Sequence, residues 1–254
     1  MERVHENLVD ATFGPRAKAY VDSAVHSKGA DLEALEAIVG ELKPARAIDV
    51  GCGGGHVSYL LARHAGRVTA ADLSSEMLAA VAAAAKERGL ANLETAQTTA
   101  ERLPFEDGTF DFLATRYSAH HWRDFEGGIR QARRVLKTGG RAAFIDAYST
   151  GVPLLDTHLQ AVEIIRDPSH VRDYSAAEWM ATLARSGFQA IDYRTWRVRM
   201  DFPVWMARLG APESAGISIR ALQATAPAET REHFSIEPDG SFMLDVMMIQ
   251  AQAV

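Results

Sequence analysis

One stretch of this chain has residues whose types and spacing can hold a ligand: Asp49-Val50-Gly51-Cys52-Gly53-Gly54-Gly55. Glycines let a backbone turn sharply and approach a bound group closely. A helix starting just behind them offers unpaired amides to an anionic group. Three ligand chemistries compete for such a loop. A phosphate-binding P-loop needs Gly-Lys-Ser/Thr at its end, and Gly55-His56-Val57 does not supply it. A dinucleotide fingerprint, G-x-G-x-x-G, places His56 or Ser58 at its third glycine, depending on the frame, and so does not close. The pattern that closes is acid-x-G-x-G-x-G, from Asp49 through Gly51, Gly53 and Gly55. A second acid, Asp72, lies 21 residues beyond Gly51. That is about the distance at which a strand-end acid hydrogen-bonds ribose hydroxyls. The alternative role for Asp72, capping the next helix, is already offered by Ser74 and Ser75. Asp49 can order the loop amides or be an ordinary acid at a strand end.

A second constellation is Thr115-Arg116-Tyr117-Ser118-Ala119-His120-His121-Trp122. A histidine here can act as a general base near neutral pH, or be a buried structural residue. Adjacent histidines point in different directions and chelate poorly. The chain has no HExxH and no spaced Cys/His cluster, so no catalytic metal is expected.

The elements that must position these residues follow from periodicity. Short apolar runs alternate with amphipathic runs, the pattern of a parallel sheet with crossover helices. Strands are expected at 45–50, 67–72, 92–98, 110–115, 141–148, 188–200 and 242–252. Val57, Leu60, Leu61 and His64 form a helical stripe that Gly66 would cap, with His64 covering the last turn. Asp124 caps a helix that Gly139-Gly140 should break. Arg130, Arg133, Arg134 and Lys137 read as its solvated face. Ser175-Ala-Ala-Glu178 is a capping box. Pro203, Pro212 and Pro227 each stand where a short helix can begin. Residues 149–174 and 201–241 fall outside the alternation. Loops leaving parallel strands sit at the carboxyl edge, where ligands bind, so both segments are expected to hang over one crevice as lids.

With those residues in view, the chain resembles the class I S-adenosylmethionine (SAM) dependent methyltransferases, in particular the ubiquinone/menaquinone C-methyltransferase-like group with its type 11 domain. IDVGCGGG resembles the family's first motif. AADLSSEML, AERLPFEDGTFDFL and RRVLKTGGRAAFID resemble the next three, in order, over about 47–146. The resemblance implies a Rossmann-like α/β fold: a seven-stranded, mostly parallel sheet with an antiparallel last strand and helices on both faces. It implies one domain over 1–254, with cap helices in 1–44, a SAM-binding core in 45–148 and the two lids. It also implies that Asp49, Gly51, Cys52, Gly53 and Gly55 hold the methionine end of SAM, where Asp49 can balance its ammonium through water. Asp72, Leu73 and Met77 would hold the ribose side. Thr99, Ala100 and Glu101 stand where the family has Asp-Ala-Glu, so the short, neutral Thr99 would receive the adenine amino group more weakly. Arg116 and Tyr117 become further cofactor contacts. Acceptor-side candidates are Phe13, Tyr20 and His26 in the N-terminal segment, then Tyr148, His158, His170 and Trp205, with His120 or His121 as base.

The implied reaction is in-line methyl transfer to a small molecule, releasing S-adenosylhomocysteine (SAH). Its main requirement is alignment, which can be worth ~7–11 kcal/mol of barrier. Two rivals are a non-catalytic SAM-binding protein and a nicotinamide-dependent oxidoreductase. The 254 residues, 47% hydrophobic and 24% charged, can build a full core. A net charge of −6 argues against nucleic acid as partner. The N-terminus lacks an apolar leader core, no run approaches the ~18 residues of a membrane span, and Cys52 is the sole cysteine. A cytoplasmic monomer or homodimer is expected.

Overall fold

The computed structural model describes residues 5–21 and 29–254. His26 lies outside the described residues. Three helices, α1 (His5–Phe13), α2 (Ala17–Val21) and α3 (Ala30–Leu42), precede the sheet. Alternation then begins with β1 (Arg46–Val50), α4 (His56–Ala62), β2 (Arg67–Asp72), α5 (Ser75–Glu87), β3 (Leu93–Gln97) and β4 (Phe110–Arg116). It continues with α6 (Phe125–Val135), β5 (Leu136–Ala147), α7 (Pro153–Arg166), α8 (Ala176–Arg185) and β6 (Phe188–Met200). Helices α9 (Phe202–Leu209), α10 (Glu213–Thr225) and α11 (Ala228–His233) lead to β7 (Phe242–Ala253).

The seven strands lie in the order β3-β2-β1-β4-β5-β7-β6. β1 to β5 pair in parallel, and β7 runs antiparallel to both β5 and β6. Side-chain alternation feeds two cores. On β5, Ala143 and Ile145 join Leu35, Leu60 and Leu61 on one face, while Ala142 and Phe144 join Ile129 and Trp179 on the other. Both faces are covered, as a parallel sheet requires. α7 packs against α10 and α11 over the first face. Among the described residues no helix is long and apolar enough to cross a membrane.

Helix starts follow local chemistry. Ser74 accepts from the Met77 amide at 3.4 Å, and Asp124 from Gly127 at 2.9 Å. Ser175 and Glu178 form the reciprocal capping box. Pro203 lies in the first turn of α9, and Pro212 and Pro227 precede α10 and α11. Three expectations need correction. α6 ends at Val135 rather than at the glycines, because Leu136 is drawn into pairing with Phe110 and already starts β5. α4 stops at Ala62, short of Gly66, and His64 instead meets Glu36 of α3 at 3.0 Å. The α6 arginines are not simply solvated: Arg134 donates to the Leu103 and Phe105 carbonyls, and Arg133 to Val254.

Trp179 is 1% exposed, edge-on to Phe125 at 4.6 Å and 5.6 Å from Phe144. Truncating a buried aromatic costs about 3–5 kcal/mol. Trp179→Ala should lower the urea-unfolding free energy by that amount; a loss under about 1 kcal/mol would mean that α8 contributes little to the second core.

Candidate functional site

The carboxyl ends of β1, β2, β4 and β5 open into one cavity of about 570 Å³, within the range typical of small-molecule sites. At its outer end the glycine loop folds back on β2: the Gly51 and Cys52 amides both donate to the Ala71 carbonyl, at 2.8 and 3.0 Å. Gly51 has φ +71°, and a Cβ there would fall 1.9 Å from Ser118 Oγ, so only glycine fits. Gly55 closes the loop for a different reason. It does not line the cavity; a Cβ there would press on the Tyr59 ring at 2.7 Å, so its absence lets α4 settle on its own side chains.

Asp72 Oδ2 accepts from the Gly53 amide at 2.9 Å and Oδ1 from Ser74 at 3.0 Å. Each oxygen retains lone-pair capacity toward the cavity. Burial raises its pKa, against the pull of these amides. Asp49 is 1% exposed and accepts from Ser58 Oγ of α4 at 2.6 Å, so it fixes the helix rather than the loop amides. Burial raises its carboxyl to about 7, only partly opposed by Ser58. Burial also holds the Cys52 thiol well above its usual value.

Leu73, Met77, Thr99, Ala100 and Glu101 continue the wall. Glu101 also accepts from the Asp124 amide at 3.3 Å, which ties this turn to the start of α6. Arg116 donates through Nε to Asp31 at 2.5 Å, both nearly buried, and its guanidinium lies 4.7 Å from the Tyr117 ring centre. His56, the first residue of α4, is hydrogen-bonded to the Tyr20 carbonyl at 2.8 Å, so α2 lies directly on the glycine loop.

The same lining includes His120 and His121, their rings 4.2 Å apart. His120 Nδ1 lies 2.6 Å from Asp146 Oδ1, at the end of β5. Burial disfavours the imidazolium, but the Asp146 charge and hydrogen bond, helped by Asp173 and Glu163, outweigh it and raise His120 to about 9. His121 goes the other way. Burial and the His120 charge lower it to about 4. Its Nδ1 is 3.1 Å from the Ser169 carbonyl, which can only accept, so the proton sits on Nδ1 and Nε2 is bare. Phe13 of α1 stands edge-on to His121 at 5.1 Å. His170 is held 3.0 Å from Gln160 Oε1, and burial lowers it to about 2.

The cavity thus gathers Tyr20, Asp49, Gly51, Cys52, Gly53, Asp72, Leu73, Met77, Thr99, Ala100, Glu101, Arg116, Tyr117, His120, His121, His170 and Trp205. Gly55 is absent from its lining, as is Tyr148. Ala147 faces the cavity, so strand alternation turns Tyr148 to the opposite face, where it meets the Tyr193 hydroxyl. His158 packs near Phe234, at 5.4 Å. Sequence reasoning missed Asp31, Asp146, Glu163, Arg166, Asp167, Asp173 and Arg208. Asp146 carried a readable signal, since it ends a strand as Asp49 and Asp72 do. Among the described residues no group of three His, Cys, Asp or Glu can hold a metal ion.

Residues 48–144 match the methyltransferase domain model. The chain is 40% identical to the uncharacterized protein YafE of Escherichia coli K12, over 78% of this chain and 95% of that one. It is 32% identical to the uncharacterized methyltransferase YcgJ of Bacillus subtilis, over 95% and 97%. The crystal structure of YcgJ superposes with a TM-score of 0.83 at 31% identity, covering 88% of this chain and 97% of that one. A ubiquinone/menaquinone biosynthesis C-methyltransferase of Sinorhizobium fredii is 32% identical over 61% of this chain and 64% of its own.

Asp49 gives a pH test. Its folded value of about 7 exceeds the ordinary 3.8. The stability it lends is therefore fully present below pH 3.8 and lost as pH rises through about 7. Asp49→Asn should gain on the wild type by more than about 1 kcal/mol between pH 5 and pH 8 in urea unfolding. A pH-independent difference would refute the buried, neutral carboxyl.

Proposed function

The chain belongs to the S-adenosylmethionine-dependent methyltransferases, and from that premise we propose that it transfers the methyl group to a small-molecule acceptor by in-line displacement. One observation carries the reading: the glycine loop with Asp72 and the His120–His121 pair line the same cavity. A donor held at the first end then points its reacting group toward an acceptor at the second.

The residues fit the donor. Gly53 lines the cavity and nothing stands within 4 Å of where its Cβ would be, so the loop leaves open space there. Asp72 has lone pairs left for two hydroxyls, and Leu73 and Met77 supply apolar wall. SAM brings a methyl group already activated by a sulfonium, so this chain need only align, exclude water and manage a proton. The glycine loop and Asp72 would face the donor's two ends. Asp31 keeps Arg116 and the neighbouring Tyr117 in place. The segments 149–174 and 201–241 act as lids: the first contributes Glu163, Arg166, Asp167, His170 and Asp173 to the wall, the second Trp205, Arg208 and Leu209. The Arg166 guanidinium lies 4.3 Å from the Trp205 ring centre and joins the two. A pocket closed by both lids suits a small acceptor.

Charge-assisted hydrogen bonds contribute about 1.5–3 kcal/mol each. Asp72→Ala should therefore weaken SAH binding tenfold or more by calorimetry. Wild-type protein given methyl-labelled SAM and a metabolite extract should pass label to a low-molecular-weight product. An unchanged SAH affinity in the variant would remove Asp72 from the donor site, and label found only on protein would overturn the small-molecule acceptor.

A further inference from the structure

Apart from the glycine loop and the histidines, the cavity wall holds a third cluster, where the covering segments meet. We propose that Arg166 of the first lid and Arg208 of the second, with Tyr20 beside them, bind an oxyanion carried by the acceptor, a carboxylate or a phosphate, placed away from the atom that is methylated. This rests on the methyl-transfer reading.

Three covering segments contribute. Tyr20 lies on α2, Arg166 is the last residue of α7, and Arg208 stands in the last turn of α9; all three line the cavity. Arg166 is held firmly. Its Nε donates to the Trp205 carbonyl at 3.1 Å, and its guanidinium lies 4.3 Å from the centre of the buried Trp205 ring. Its Nη1 is 3.8 Å from Glu163 Oε2, beyond hydrogen-bond reach. A guanidinium has five N–H donors in a fixed fork, so Nε can serve Trp205 while the terminal nitrogens serve a planar oxyanion. Burial lowers the pKa of Arg166; Glu163 and Tyr20 oppose this, and repulsion from Arg208 adds to it. The Tyr20 hydroxyl, raised by burial, is drawn down by Arg166 and then by Arg208. The three side chains thus act on one another across the cover.

Two like charges held near each other on a desolvated wall repel, and an anion between them offsets that cost. The acids facing Arg166 are Glu163 and Asp167. Burial pushes Glu163 toward its neutral form. Asp167 is turned to other partners: Oδ1 takes the Ser169 amide at 2.9 Å and its hydroxyl at 2.6 Å, and Oδ2 stands 3.8 Å from His121 Nε2. A third arginine adds to the local positive charge. Arg16 lies against Gly210, the residue that caps α9, where a Cβ would fall 2.8 Å from its Nη2. A carboxylate or phosphate takes paired N–H bonds from a guanidinium and relieves the repulsion. A neutral amide would occupy the space without relieving it, and an ammonium would increase it. The arginines also come from different lids, so one anion bonded to both ties α7 to α9 over the cavity. The charged group of the acceptor then acts as its handle, and the rest of the molecule is left to face the donor.

Phenyl-bearing probes of similar size test this on the SAH complex: phenylacetate, phenyl phosphate, phenylacetamide and phenethylamine. By calorimetry at neutral pH, one of the two anions should bind about tenfold or more tightly than the amide and the amine, and the tighter anion identifies the oxyanion. Arg208→Gln and Arg166→Gln should each bring that anion to within about twofold of the amide, with SAH affinity as in the wild type to show that the variant is folded. Should the Arg166 variant not fold, the wild-type preference and the Arg208 variant decide alone. Labelled product formed from methyl-labelled SAM and a metabolite extract should be retained on an anion exchanger at about pH 7; release at about pH 3 marks a carboxylate, and retention there a phosphate. Equal binding of anions and amide by the wild type, a preference that survives R208Q, or a labelled product that passes the exchanger at neutral pH each overturns the proposal. SAH calorimetry separates the two levels: loss of SAH binding in the wild type defeats methyl transfer itself, whereas normal SAH binding with a failed probe result defeats only the oxyanion site.

Discussion

Three aspartates stand in the last two positions of three parallel strands, and taking each carboxyl out of water dictates much of what surrounds it. A buried carboxyl costs free energy unless it is hydrogen-bonded, paired or neutral. Asp72, ending β2, meets the cost with the Gly53 and Ser74 amides, which draws the glycine loop down beside it. Asp49 on β1 meets it with Ser58 and stays close to neutral, which seats α4 behind the loop. Asp146 on β5 meets it with His120. Since the parallel strands end at one edge, the three solutions share one cavity wall. Donor loop, helix and histidine are thus positioned by the same physical demand, repeated strand by strand.

Much of this was legible because the signals are local. The acid-glycine spacing, the Ser175–Glu178 box and the prolines ahead of α9 to α11 depend on residues a few positions apart. That the residues around the glycine loop and Asp72 line one cavity followed too, since strand-end residues take their direction from the strand. What sequence reading missed depends on distant partners. Arg116 is held by Asp31, 85 residues away. The early start of β5 is set by pairing Leu136 with Phe110, against the break that Gly139-Gly140 suggested. Tyr148, expected on the acceptor side, directly follows Ala147, and that single step carries it from the cavity to the opposite core. Glu163, Asp167 and Asp173 gave no pattern, because α7 and the loop after it bring them in by packing.

The N-terminal helices show how the two halves of the cavity are coupled. α2 touches the glycine loop through the His56 contact to Tyr20, and α1 touches the histidine pair through Phe13 on His121 and His5 on Ser169. One short segment therefore contacts both groups that must be aligned. It also shares its partners with the lids, for Ser169 lies in the loop after α7. Placing a donor and an acceptor in line requires excluding water from both sides of the reacting carbon, and a cover that touches both ends accomplishes this with few residues.

Charge balance then limits what such a covered cavity can hold. The donor carries a sulfonium, and His120 keeps a second positive charge because Asp146 is already committed to it. Low dielectric inside a closed site magnifies every unmatched charge. Glu163, Asp167 and Asp173 all line the cavity, and they are the acids that can offset those charges. Methyl transfer removes the sulfonium charge, so a donor cation beside buried acids is a balance that lasts only until the methyl group leaves.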